Sequence, residues 1–123
     1  MVSKDLRNEH RFSSSLLPGK YSTLSVKLST GEEDIVRTTD VSVRGFGIIT
    51  EKPINLYQPG KQLKLYPAAT QRPIYGRIAF SKQIDNLTRV GIELMEFGHY
   101  SVFKNEIESI LKRLSDDKKI RPQ

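Results

Sequence analysis

The chain has 123 residues, with neither cysteine nor tryptophan. That length suits one small domain, and the missing thiols exclude disulfides, thiolate metal sites and a cysteine nucleophile. A net charge of +6, from 20 basic and 14 acidic residues, favours an anionic partner such as a nucleotide, a nucleic acid or an acidic surface.

The first segment, residues 1–19, is polar, with serines at 13–15 and Pro18-Gly19, and lacks strand or helix periodicity. It is expected to be an arm that is loose unless something anchors it. Its opening residues, MVSKDLRNEHRF, carry charges where a signal peptide needs apolar ones. No stretch approaches the roughly 18 apolar residues of a membrane span. A cytoplasmic chain without membrane insertion is therefore expected.

Strand signals begin at Lys20. Leu24, Val26 and Leu28 alternate with Thr23, Ser25 and Lys27, and Thr30-Gly31 makes a turn. EDIVRTTDVS predicts a second strand, with Ile35 and Val36 as its apolar part. GFGIIT (45–50) predicts a short third strand, and Pro53 and Gln58-Pro59-Gly60 punctuate the next connection. KQLKLYP (61–67) alternates through Leu63 and Leu65. PIYGRIAFSKQI (73–84) is longer, and its Gly76 predicts a bulge or a close backbone approach. After the turn Asp85-Asn86, TRVGIELMEF (88–97) places Val90, Ile92 and Leu94 on one face. The period then changes: Phe103, Ile107, Ile110, Leu111 and Leu114 form one helical stripe from about 101 to 115. The division is an arm at 1–19, a barrel with its helix at 20–115, and a polar tail at 116–123. The fold class is mainly β: a six-stranded antiparallel barrel with a C-terminal helix.

Two motifs carry chemistry. Arg7 and Arg11 form an R-x-x-x-R on the arm. Asp40, Ser42 and Gly45 form a D-x-S-x-x-G just before GFGIIT. Guanidinium is planar and permanently charged, and its fork of donors matches phosphate oxygens and the O6/N7 edge of guanine. Four residues apart on an extended arm, the two arginines lie within about 14 Å of each other. An ionised Asp40 only accepts hydrogen bonds, so it suits guanine N–H groups or an arginine. The Ser42 hydroxyl suits a phosphate or a base edge, and Gly45 leaves room for a sharp turn or a close ligand.

Together, in this order and on this strand pattern, the motifs resemble the PilZ domain family across nearly the whole chain. Val90-Gly91-Ile92-Glu93-Leu94 is similar to the family's G-I-x-F/L strand. The resemblance implies a bacterial signalling receptor for cyclic di-GMP. Asp40, Ser42 and Gly45 would form the ligand surface, and the arm with Arg7 and Arg11 would fold over it. Arg44 and Gly91 are further candidates. Leu6 is apolar where another arginine could hold a second ligand molecule, which favours one ligand per chain. Ordering five arm residues costs on the order of 5–10 kcal/mol, close to what a few charge-assisted hydrogen bonds return at about 1.5–3 kcal/mol each. The arm should therefore order on binding.

Catalysis and a cofactor are not expected, since no nucleophile–base pair or phosphate-cradling glycine loop is present. His10 and His99 lack partners at metal-ligand spacing, and the five tyrosines are scattered in the manner of packing residues. Beyond the nucleotide, the expected partner is an output protein of motility, polysaccharide or transcription machinery, and the expected state is a monomer or weak homodimer. Two other functions fit the same fold. One is a protein adaptor that ignores the nucleotide. The other is a basic barrel binding single-stranded nucleic acid, disfavoured because no strand alternates clustered aromatic and basic residues.

Overall fold

The computed structural model describes residues 12–13, 19–68 and 70–120, the last of these by side chain as far as 113. Alternation along short segments produces the strands. They are β1 (Phe12–Ser13), β2 (Thr23–Leu28), β3 (Glu33–Ser42), β4 (Gly45–Thr50), β5 (Gln62–Pro67), β6 (Ile74–Ile84) and β7 (Leu87–Gly98). One helix, α1 (Tyr100–Ile120), comes after them. Neighbouring strands run β3-β2-β5-β6-β7-β4, and a β3–β4 pairing closes the six into an antiparallel barrel. Closure leaves no free sheet edge among these strands. The two-residue β1 lies against β3 beyond the end of β2, pairing Phe12 with Val41 and Ser13 with Asp40.

The barrel interior takes one side of each alternation. Leu24 and Val26 of β2, Phe46 and Ile48 of β4, Leu65 of β5, Ile74 and Ile78 of β6 and Val90 of β7 are essentially inaccessible. Each such side chain contributes roughly 1.5–3 kcal/mol when removed from water. The apolar pair expected in the second strand is split. Val36 is buried while Ile35 is 71% exposed, because successive strand residues point to opposite faces. Gly76 sits at a register irregularity, and its closest neighbour is a side chain rather than backbone. The pairing shifts between Ile74 and Gly76, and a Cβ there would come 2.6 Å from Ile92 Cγ2.

The helix packs its stripe on the barrel. Phe103, Ile107 and Ile110 are buried, and Leu111 packs partly against them. The Phe103 ring meets Tyr21 edge-on, centroids 5.3 Å apart, and Phe46 at 5.0 Å. The Tyr21 hydroxyl donates to Glu106 at 2.7 Å, which ties the chain before β2 to α1. The helix continues past the expected end near 115, to Ile120. The stripe marks where apolar packing stops, and charged residues prolong a helix on solvated turns. The Leu114 side chain lies outside the described residues.

Two irregularities position the site. On β3 the pairing with β4 shifts between Thr38 and Asp40. On β6 the pairing with β7 shifts between Ile78 and Phe80. Each is a β-bulge, which inserts one extra residue and reverses which face the following side chains occupy. Strict alternation would carry Asp40 inward behind Val36 and Thr38, and Phe80 inward behind Ile74 and Ile78. The bulges turn both outward.

Candidate functional site

The outward residues next to the two bulges fall in one row across five strands. Ser13 pairs with Asp40, Asp40 with Gly47, Gly47 with Gly91 and Gly91 with Phe80. The middle of the row is two glycines, so the barrel surface dips there. The dip is a cleft of about 360 Å³ whose lining includes Asp40, Arg44, Gly45, Phe80, Arg89 and Glu93 as well as the two glycines. Both glycines lie under close side chains. A Cβ on Gly47 would run into the Asp40 carboxylate, and a Cβ on Gly91 would run into the Phe80 ring. The carboxylate and the ring lie over the floor from opposite sides.

Electrostatics around the dip are mixed, with cations at the rim. Thr39 Oγ1 donates to Asp40 Oδ1 at 2.8 Å. Arg89 Nη2 stands 4.0 Å from the same oxygen, and its side chain is 46% exposed, so much of the guanidinium still faces water. Arg44 is exposed at the tip of the β3–β4 turn. Its carbonyl accepts from the Leu94 N–H at 2.8 Å, which fastens the turn to β7. Arginine offers permanent charge and several donors, so the rim suits an anion with planar, hydrogen-bonding parts.

The structure brings together four of the residues singled out from the sequence: Asp40, Arg44, Gly45 and Gly91 all line the cleft. Ser42 is placed differently. It is fully buried, and its Oγ accepts the Arg44 N–H at 3.3 Å, so its described contact shapes the turn. Gly45 has a packing reason as well, because a Cβ there would come 2.5 Å from the Ile92 carbonyl oxygen. Leu6, Arg7 and Arg11 lie outside the described residues. Sequence reasoning missed Phe80, Arg89 and Glu93. For Phe80 the period-2 signal pointed inward, and only the bulge reverses it. Arg89 and Glu93 were outward positions of a strand already recognised, one residue pair either side of Gly91, and that spacing could have found them.

The helix and the site share a fixed point. The Tyr100 hydroxyl donates to the Val43 carbonyl at 2.9 Å, joining the first residue of α1 to the β3–β4 turn. A larger cleft lies elsewhere, around the exposed Ile35. It is lined in part by Asp34, Arg37, Ile49 and Glu51, and receives none of the singled-out residues. Among the described residues no group of three or more His, Cys, Asp or Glu side chains could hold a metal ion, and no helix is long and apolar enough to cross a membrane.

The six-stranded antiparallel barrel with a C-terminal helix is a PilZ-like fold. Solved structures agree. The PilZ domain of Escherichia coli YcgR with c-di-GMP superposes with a TM-score of 0.61 at 16% identity, over 94% of this chain and 98% of that one. The K. pneumonia MrkH–c-di-GMP complex gives 0.61 at 17% identity, over 92% of this chain and 54% of that one. The Bacillus subtilis inhibitor of motility MotI/DgrA gives 0.62 at 14%, over 94% and 53%. The chain thus spans nearly the whole E. coli domain and about half of the other two proteins. At these identities the likeness is one of fold. No protein-family profile matches the sequence, nor does any sequence among the curated proteins.

Proposed function

We propose that the chain is a cyclic di-GMP receptor that holds the nucleotide in the cleft over Gly47 and Gly91. The observation that carries this reading is the row Ser13–Asp40–Gly47–Gly91–Phe80. It joins the described end of the arm to the D-x-S-x-x-G strand across a floor without side chains. Arg11 is bonded to Phe12, so the peptide geometry sets its Cα about 3.8 Å from a strand residue beside the site.

In this reading Arg7 and Arg11 clamp phosphate oxygens or a guanine edge, and Arg44 and Arg89 add donors at the rim. Asp40 accepts from guanine N–H groups, and the Phe80 ring closes the cleft wall beside the base. Gly45 keeps the turn close against β7. Ser42 acts by holding the Arg44 backbone rather than by a contact of its own. The similar barrels solved with c-di-GMP support the ligand class. The arm orders as the ligand binds, and the Tyr100–Val43 hydrogen bond offers a route from turn to helix. A bound surface of this kind passes a signal to an output protein without catalysis, in the cytoplasm. Leu6 before Arg7 favours one ligand per chain.

Titration calorimetry with cyclic di-GMP tests the reading. The wild type is expected to bind at micromolar concentration or tighter with one ligand per chain. Arg7→Ala and Arg11→Ala should each weaken binding at least tenfold, since one lost charge-assisted contact removes about 1.5–3 kcal/mol. No heat from the wild type overturns the receptor reading. Unchanged affinity in both variants overturns the arginine assignment.

A further inference from the structure

A second face of the barrel gathers positive charge next to aromatic rings. The register aligns Lys27 of β2 with Lys64 of β5, and Lys64 with Tyr75 of β6. The next outward position of β6, Arg77, sits opposite Gln62. Strands are about 4.8 Å apart, so these groups fall within roughly 10 Å across the sheet. The Lys64 ammonium lies 5.8 Å from the centre of the Tyr75 ring. Tyr75 in turn stacks at a tilt on Phe97 of β7, with centroids 4.8 Å apart. Phe97 remains 49% exposed. A shallow cleft of about 270 Å³ opens along Lys27, Lys64 and Tyr75. Among the described residues none of these three cations is in an ion pair. Glu33, opposite Lys27, and Glu93, opposite Arg77, bound the patch.

Three neighbouring cations that form no ion pair among the described residues favour an anionic ligand. The rings narrow the choice. An acidic protein surface would satisfy the charges, but carboxylates supply no planar face for an exposed phenylalanine. A nucleic acid strand supplies both parts: a phosphate chain for the lysines and arginine, and a base to stack on the rings. A duplex hides its base faces, so the strand must be single. No single β-strand of the sequence alternates basic and aromatic residues strongly enough to announce this. Strand pairing assembles the face from three places in the chain.

We propose that the outer face of β2, β5 and β6 binds single-stranded nucleic acid, with phosphates on Lys27, Lys64 and Arg77 and a base on the Tyr75–Phe97 pair. Sequence preference is low, because stacking reads a base's face rather than its edge. Lys27, Lys64, Tyr75 and Arg77 do not line the glycine-floored cleft, although Glu93, opposite Arg77, does.

Fluorescence anisotropy of the full chain with labelled twelve-nucleotide single strands of DNA and RNA provides the test. Three phosphate contacts give a salt slope near −2, so raising salt from 50 to 200 mM should weaken binding about 20-fold. The double variant Lys27→Glu, Lys64→Glu should lose at least tenfold at 50 mM salt. Phe97→Ala should lose roughly fivefold or more, the low end of what stacking of one base contributes. All three side chains face outward, so the variants should stay folded; Phe97→Ala should unfold near the wild type, and the double reversal somewhat earlier, because it sets carboxylates opposite Glu33 and opposite each other. Cyclic di-GMP titration should be unchanged in them, which keeps this outcome apart from that of the other site. No binding by the wild type at 50 mM salt overturns the proposal, as does binding indifferent to the lysine reversals. Poly-glutamate displacing the strand, with Phe97→Ala without effect, assigns the face to an acidic protein and also overturns it.

Discussion

At the scale of single residues, the glycines beside the cleft are not equivalent. A methyl on Gly91 meets the flexible, half-exposed ring of Phe80, which can swing aside into water. A methyl on Gly45 meets the Ile92 backbone carbonyl, which is held in the β7 ladder and cannot move cheaply. Gly91→Ala is therefore expected to leave thermal stability almost unchanged while weakening cyclic di-GMP binding at least fivefold, because the displaced ring no longer walls the cleft and the added methyl raises its floor. Gly45→Ala is expected to cost roughly 1–3 kcal/mol of stability, as overpacking does. Urea denaturation beside calorimetry separates the two. Equal stability losses would show that both glycines serve packing alone.

At the scale of elements, two buried tyrosines tie segments together through carboxylates. Tyr21 precedes β2 and donates to Glu106 of α1. Tyr57 comes after β4 and donates to Asp34 of β3 at 2.7 Å, where Thr50 of β4 also donates. Burial, and then the hydrogen bond to the neighbouring carboxylate, push both phenols well above the ordinary tyrosine value near 10. The folded chain thus keeps two protons that the unfolded chain releases above about pH 10. Stability that is fully present below pH 10 falls as pH rises beyond it, because the unfolded state then binds fewer protons. Urea midpoints measured from pH 9 to 11 should decline, and the double variant Tyr21→Phe, Tyr57→Phe should decline less steeply. The strands and helix that these tyrosines join were legible in the sequence from alternation and from the change to a period near 3.6. The hairpin at Asp85 was legible too. Its φ of 53° is the left-handed value that a two-residue turn uses, and aspartate tolerates it. The extent of α1 was not, since its apolar stripe stops before its backbone does.

At the scale of the whole molecule, six strands close into a barrel, and the proposed clamp residues Arg7 and Arg11 precede it in the chain. Ligand binding to such a frame acts on stability by mass action. At one hundred times its dissociation constant, cyclic di-GMP should add about 2.7 kcal/mol and raise the melting temperature by roughly 10 °C. Arg11→Ala at the same ligand concentration should show a much smaller rise. An equal rise in the two would place the ligand elsewhere.

The amino-acid sequence alone determined the six strands, their inward sets Leu24–Val26–Leu28 and Val90–Ile92–Leu94, and the packing face of the helix. Those arise from local periodicity, which each segment carries by itself. It also displayed Asp40, Ser42 and Gly45 as a motif. Tertiary structure alone decided what faces what. Strand pairing put Gly47 beside Gly91 and made a floor. Two bulges turned Asp40 and Phe80 outward, against the alternation of their own strands. Ser42 went inward to hold the turn, and Lys27, Lys64 and Tyr75 met across three strands. A bulge is a property of the pair of strands rather than of either one, so no pattern read along a single segment contains it.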